Sequence, residues 1–499
     1  MIRKFFLLTI VVLCFIGWTN KPALNTPVCT ADSEQKRPQL VSDGEGGGVI
    51  VWEDARTGSD YDIYAQRLDA SGHVLWPANG IAVCKAIGLQ HFPQITADSA
   101  GGYIVTWYDR RNGKNYDIYA QRIDANGISK WTRDGVAICT AEADQYDPIP
   151  VSDGRGGAII IWQDRRGGND YDIYGQRIDA NGRLQWDTNG NVICAEKHDQ
   201  ENPRPVPDGK GGVVVTWQDR RGGNNYDIYA QRIDARGVVQ WTANGIEICT
   251  APEDQKSPES VSDDTGGTVI TWQDKRKGGD YDIYAQRIDI SGTIQWTANG
   301  VAICTADNSQ YDPRLASDGS GGAIIAWQDY RKGADCTFDA FAQQTDHKPE
   351  MCDIKHLNDW NIYVQYINSS GKIQWAANGI SLCTSNVDQF KPQLISDGIG
   401  GAIITWRGAD KENDQNIYAQ ALTPSGKVKW NAAGVAVSTA PGDQFDPLLT
   451  TDGRGGAIIA WYDKRKGNAF DIYAQSVCVS GEIGCPPPRE NKVASNRQK

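Results

Sequence analysis

The chain has 499 residues and a net charge of −12, from 62 acidic against 50 basic side chains. That balance excludes bulk attraction to nucleic acid or to an anionic membrane surface. Gly is abundant at 54, which suits many tight turns, and beyond the N-terminus no apolar run is long enough to span a bilayer.

Residues 1–24 predict an export signal peptide, with an N-terminal anchor as the alternative. Arg3 and Lys4 precede an apolar stretch over residues 5–18, too short for a comfortable transmembrane helix and suited to a signal-peptide core. Leu13 is a poor residue to precede a lipid-modified Cys14. The expectation is a secreted or periplasmic protein, monomeric, with no span beyond this segment.

A repeat then takes over. Trp52, Trp107, Trp162, Trp217, Trp272 and Trp327 recur every 55 residues, and after an interval of 79 Trp406 and Trp461 are again 55 apart. In the second copy the unit runs Gln90-x-x-Pro93, Asp98-x-x-Gly101-Gly102, a β-branched run to Trp107, Asp109 and Arg111, Asp117-Ile-Tyr-Ala-Gln-Arg122, Asp124-x-x-Gly127, Trp131, Gly135 and Cys139. Four short apolar runs separated by Gly, Asp and Asn turns have a strand period and no helical one. Four strands in sequence make one up-and-down sheet, and eight sheets can close radially. The predicted fold is all-β: an eight-bladed β-propeller of four-stranded antiparallel blades over residues 25–485. Residues 26–31 match the tail of a repeat and the eighth copy stops at Cys485, so the N-terminal segment should complete the last blade and close the ring.

The stretch from Ser152-Asp153-Gly154 through Trp162-Gln-Asp-Arg-Arg to Tyr171-Asp-Ile-Tyr resembles the TolB-type propeller repeat. Tyr174 to Trp186, with Asp179 and Gly182, is similar to the tryptophan-docking repeat of eight-bladed quinoprotein-like propellers. Both resemblances imply the propeller and leave function open. The adjacent-cysteine pair of many quinoprotein dehydrogenases is missing, and the cofactor stays unknown.

Whatever repeats is read as scaffold. The eight Trp of the second strand, and seven more (Trp76 to Trp430) assigned to the fourth, should fill the space between blades rather than stack sugars. The Asp109/Arg111 pair and its equivalents read as a turn in which Arg pairs with an Asp of the next strand, such as Asp117; an anion-binding ring is the alternative. The seventh copy breaks this pattern with Arg407-Gly408-Ala409-Asp410. Cys29, Cys84, Cys139, Cys194, Cys249, Cys304 and Cys383 share one repeat position, too far apart between blades for disulfides. They are expected to be buried and free, whereas Cys478 and Cys485 flank a hairpin and are candidates for a bridge.

What varies points to function. The Gln and Pro of Gln-x-x-Pro recur eight times, but the pair between them differs: His91-Phe92, Tyr146-Asp147, Tyr311-Asp312, Phe390-Lys391 and Phe445-Asp446 carry aromatic and charged groups. Read as loops around the mouth of a central channel, these ten residues are the candidate binding site. An insertion at about 336–359 in the sixth blade adds Cys336, His347, Cys352 and His356, open to a Cys336–Cys352 disulfide, a metal site, or neither. Residues 486–499 are expected to be a loose tail. No nucleophile elbow, zinc-protease helix or phosphate loop occurs. The leading expectation is a non-enzymatic propeller binding a protein or glycan through this face. A polysaccharide hydrolase or lyase with carboxylates at the mouth, Asp147 and Asp312 among them, is the first alternative. A structural envelope component is the second.

Overall fold

The computed structural model describes residues 25–58, 60–331, 360–383, 387–409, 414–467 and 469–486. Residues 1–24, where a signal peptide or anchor is expected, and the insertion with Cys336, His347, Cys352 and His356 lie outside them, as do the residues from 487. The described residues form eight four-stranded antiparallel sheets, with no helix among them. In the first blade the strands are Gln35–Ser42, Gly48–Asp54, Asp62–Leu68 and Ile81–Cys84, in sequential order. The first strands of neighbouring blades contact one another around the ring, so they line its centre. The eighth sheet takes its outer strand, Thr26–Cys29, from the chain's beginning, which pairs antiparallel with Asp471–Val477 and closes the ring.

Each second strand is an unbroken apolar run because it is covered on both faces. Eight hydrophobic clusters fill the eight blade junctions, and each joins side chains from two adjacent blades. The second-strand tryptophans are at most 1% exposed. Trp107 packs so tightly that a Cβ on Gly135 (φ +93°) would meet its ring at 2.7 Å, which fixes glycine there. The other seven tryptophans sit in the hairpin before the fourth strand, not within it as expected. Their indole N–H groups stitch each blade to the next, as in Trp131 Nε1 to the Ala180 carbonyl at 3.1 Å.

The Asp/Arg pair is scaffold, but its partner differs from the expectation. Arg111 binds Asp109, two residues before it, at 2.5 Å, while Asp117 is held by Asn112 and Asn115. Asp109 also accepts the Trp107 indole at 2.9 Å, and the Arg111 guanidinium lies 3.7 Å over Tyr119. Close spacing in a tight turn lets one carboxylate serve indole and guanidinium together, which a cross-strand Asp cannot do. All seven repeat cysteines are buried, the six from Cys29 to Cys304 are free thiols, and Cys478 is joined to Cys485 with Cα atoms 5.3 Å apart.

Candidate functional site

The Gln-x-x-Pro motif is not a loop ahead of the first strand. It is the start of that strand, and its variable pair forms a β-bulge: Tyr146 pairs with Gln163, register is lost over Asp147 and Pro148, and pairing resumes at Ile149. All eight second variable residues, from Arg37 to Asp446, have φ between 43° and 58°. The motif explains this locally. Pro has no N–H to lose from the ladder, so it fits the unpaired position of a bulge. The invariant Gln braces the turn before it, as Gln145 Nε2 does on the Ala143 carbonyl at 2.8 Å. A bulge turns the second variable residue sideways, toward the neighbouring blade.

There it meets the residue that follows the blade-core tryptophan. At five junctions an oxygen of that residue accepts the next blade's bulge N–H: Glu53 from Phe92 at 2.8 Å, Gln163 from Asn202, Gln218 from Ser257 and Gln273 from Asp312 each at 2.9 Å, and Gln328 from Lys391 at 2.7 Å. Tyr108, Arg407 and Tyr462 hold the same place at the other three. The result is a polar girdle around the channel. The sequence reading missed it, although the signal was present: four copies carry Gln after the tryptophan and four do not.

The girdle gathers the mouth charges. Glu53 is fully buried against Arg37 at 3.2 Å and His91 at 3.4 Å. Burial opposes its ionisation, but the His91 hydrogen bond and the Arg37 charge outweigh that and hold its carboxyl below the usual range. Asp312, 6% exposed, receives Lys391 Nζ at 2.9 Å and Arg314 at 3.7 Å. These charges likewise overcome burial and lower its carboxyl. Asp147 has the opposite balance. It is half-buried, receives Gln163 Nε2 at 2.7 Å and has no cation within ion-pair distance among the described residues. Burial pushes its carboxyl up to about 6, against the lowering by Arg204 and the Gln163 bond. Next to it the Tyr108 hydroxyl is held protonated by burial and by the Asp147 and Glu53 charges.

Aromatic rings border these charges in arcs. One runs Tyr61, His91, Tyr108, Tyr146, Tyr171, with successive centroids 5.5, 5.9, 5.5 and 6.2 Å apart. A second runs Tyr281, Tyr311, Trp360, Phe390 at 5.5, 5.8 and 6.2 Å. Phe445 stacks on Tyr462 at 5.5 Å, and the Tyr462 hydroxyl donates to Asp446 at 2.9 Å. The ten sequence candidates therefore fall into three groups: His91, Phe92, Tyr146 and Asp147; Tyr311, Asp312, Phe390 and Lys391; Phe445 and Asp446. Tyr311 and Asp312 are buried rather than displayed. Tyr61, Tyr171, Tyr281 and Trp360 were not among the candidates; an aromatic just before the third strand recurs in most copies, and recurrence by itself points to scaffold. A cavity of about 650 Å³ opens at the opposite end of the first strands, lined by turns such as Ser152 to Arg155. Its Asp153 is engaged by Arg177 at 2.8 Å, so the chemically varied end is the bulge end.

No group of His, Cys, Asp and Glu able to hold a metal occurs among the described residues. No helix among them is long and apolar enough to cross a membrane. No family model and no curated protein matches the chain. It is similar in structure to a polysaccharide lyase of family PL25, an ulvan lyase bound to -[GlcA(1-4)Rha3S]-, at 11% identity and a TM-score of 0.43 over 80% of this chain and 96% of that one. It is also similar to the α-L-arabinanase of Penicillium chrysogenum complexed with arabinobiose, at 10% identity and 0.38 over 78% and 93%. A protein of unknown function from Dyadobacter fermentans gives 10% and 0.37 over 80% and 96%. At such identities and scores the likeness says nothing about this chain's activity.

Proposed function

We propose that this is an exported, monomeric propeller that acts on polysaccharide across the bulge end of its channel, with Asp147 as the proton donor of a hydrolase or lyase. One observation carries the reading. The Asp147 carboxyl, raised to about 6, stands beside an arc of aromatic rings from Tyr61 to Tyr171, half-buried except for the buried Tyr108. Sugar rings stack on such faces, and a carboxyl that keeps its proton near neutral pH can protonate a leaving oxygen. Export rests on the basic and apolar pattern of residues 3–18.

A second reading, a glycan binder without turnover, is favoured by how completely the other mouth charges neutralise one another: Glu53 with Arg37, Glu259 with Arg204 and Arg314, Asp312 with Lys391. Reducing-end release and unsaturated-product absorbance over a panel of plant and algal polysaccharides separate the two. Turnover should fall about 100-fold or more in Asp147→Asn while binding persists, the scale expected on losing a general acid. Binding without turnover in the wild type selects the second reading, and no binding to any glycan overturns both.

A further inference from the structure

At the junction of blades seven and eight the girdle has the wrong chemistry to close on itself. At five other junctions the residue after the tryptophan offers an oxygen to the next bulge N–H. Here that residue is Arg407, whose guanidinium carries only donors, so it cannot make the equivalent bond to the bulge N–H of Asp446, another donor. Gly408 follows, where all seven other copies carry an Asp, so no Asp stands two residues after Trp406 to claim a guanidinium. The Arg407 guanidinium lies 5.4 Å from both the Phe390 and Phe445 rings. Its Nε is buried without a partner, and among the described residues no carboxylate lies within ion-pair distance of it. The two cations at bulge positions of the girdle are both paired, Arg37 with Glu53 and Lys391 with Asp312. The nearby Asp446 carboxylate accepts the Tyr462 hydroxyl at 2.9 Å.

We infer that Arg407, together with the Asp446 backbone N–H, forms a subsite for an anionic oxygen group, the carboxylate or sulfate ester of an acidic saccharide, seated between Phe390 and Phe445. This rests on the polysaccharide reading above and narrows its substrate class. Donors facing donors need an acceptor between them, and a planar guanidinium suits a carboxylate or sulfate edge in a bidentate pair. The flanking rings keep water from the pair and offer faces to the sugar that bears the anion.

The test uses the full mature chain and Arg407→Gln, which installs the residue that four other copies already carry and restores the missing acceptor. It should therefore fold at least as stably as the wild type. Calorimetric titration with trigalacturonate, a sulfated galactan oligosaccharide, the neutral galactan oligosaccharide, free glucuronate and sodium sulfate distinguishes the sources. The expected result is tighter binding of at least one acidic oligosaccharide than of the neutral one, weakened about 10- to 100-fold by Arg407→Gln with the neutral ligand unaffected. Equal affinities in wild type and variant, or no preference for acidic oligosaccharides, overturn the subsite. Arg407-dependent binding of free sulfate or glucuronate without any oligosaccharide binding overturns the saccharide assignment and the polysaccharide reading together. Neutral binding alone retains that reading and overturns this one.

Discussion

Asp147 illustrates how one side chain can be set apart from seven equivalents. Its bulge geometry is shared around the ring, yet Arg37 and Lys391 in the same place are cations, and Asp312 is neutralised by Lys391 and Arg314. Asp147 has only the Gln163 amide, so burial dominates and its carboxyl rises to about 6. The sign follows from linkage. A folded-state value above the unfolded one, about 3.9, means the folded state holds the proton more tightly. The associated stability is present below about pH 4 and lost as pH rises through about 6. Asp147→Asn removes that loss, so the variant should be more stable than the wild type by about 1–2 kcal/mol at pH 7 and equal to it near pH 3.5. Chemical denaturation at both pH values checks this; an unchanged difference between them would remove the physical basis for a protonated donor. The same carboxyl gives any turnover a limb that falls as pH rises through about 6, a limb absent in Asp147→Asn.

At the scale of the element, the first strand carries the candidate site and the second carries the stability. In the first strand a bulge interrupts the ladder at the varied pair and turns its second residue toward the neighbouring blade, while the second strand is buried along its whole length. The cysteine that ends six of the eight fourth strands belongs to this packing. Cys139, for example, receives Arg166 Nη2 from the next blade at 3.0 Å, and burial pushes its thiol up to about 12. A thiol so buried and so rarely ionised is inert. The native protein should leave the six cysteines from Cys29 to Cys304 unlabelled by a thiol reagent at pH 8, and all should react in guanidinium. Mass spectrometry of labelled peptides reads this directly, and rapid native labelling would mean that the blade junctions open.

For the whole molecule, the decisive contact is the one between its ends. Thr26–Cys29 supplies the outer strand of the eighth blade, and Val28 and Cys29 join a core cluster with Trp52 and Ile458. Deleting residues 25–31 would expose the edge of Asp471–Val477 and strip that junction of its outer layer, a loss of several kcal/mol from burial and hydrogen bonding. A marked fall in melting temperature, with aggregation through the exposed edge, is the expected outcome. Melting as cooperative and as high as that of the full ring would show that closure contributes little. Ring closure also matters for the site, because the Arg37 bulge of blade one and Tyr462 of blade eight share the same channel wall.

The sequence by itself determined the architecture. A 55-residue period of tryptophans, with strand-length apolar runs and turn residues between them, has one economical solution, since each sheet buries its faces only against copies of itself. Burial of the repeat cysteines and closure by residues 26–29 were legible for the same reason: repetition exposes every scaffold position eight times over. The site was legible only in part. The varied pairs from His91-Phe92 to Phe445-Asp446 were legible as one end of the channel, but not that they form bulges, that Tyr311 and Asp312 are buried, or that Tyr108, Arg407 and Tyr462 complete their surroundings. Those facts depend on which blades are neighbours and how a left-handed residue turns its backbone toward them. Only the tertiary structure decided them, because protonation and pairing in the channel are set by groups that lie far apart in the chain and close in the ring.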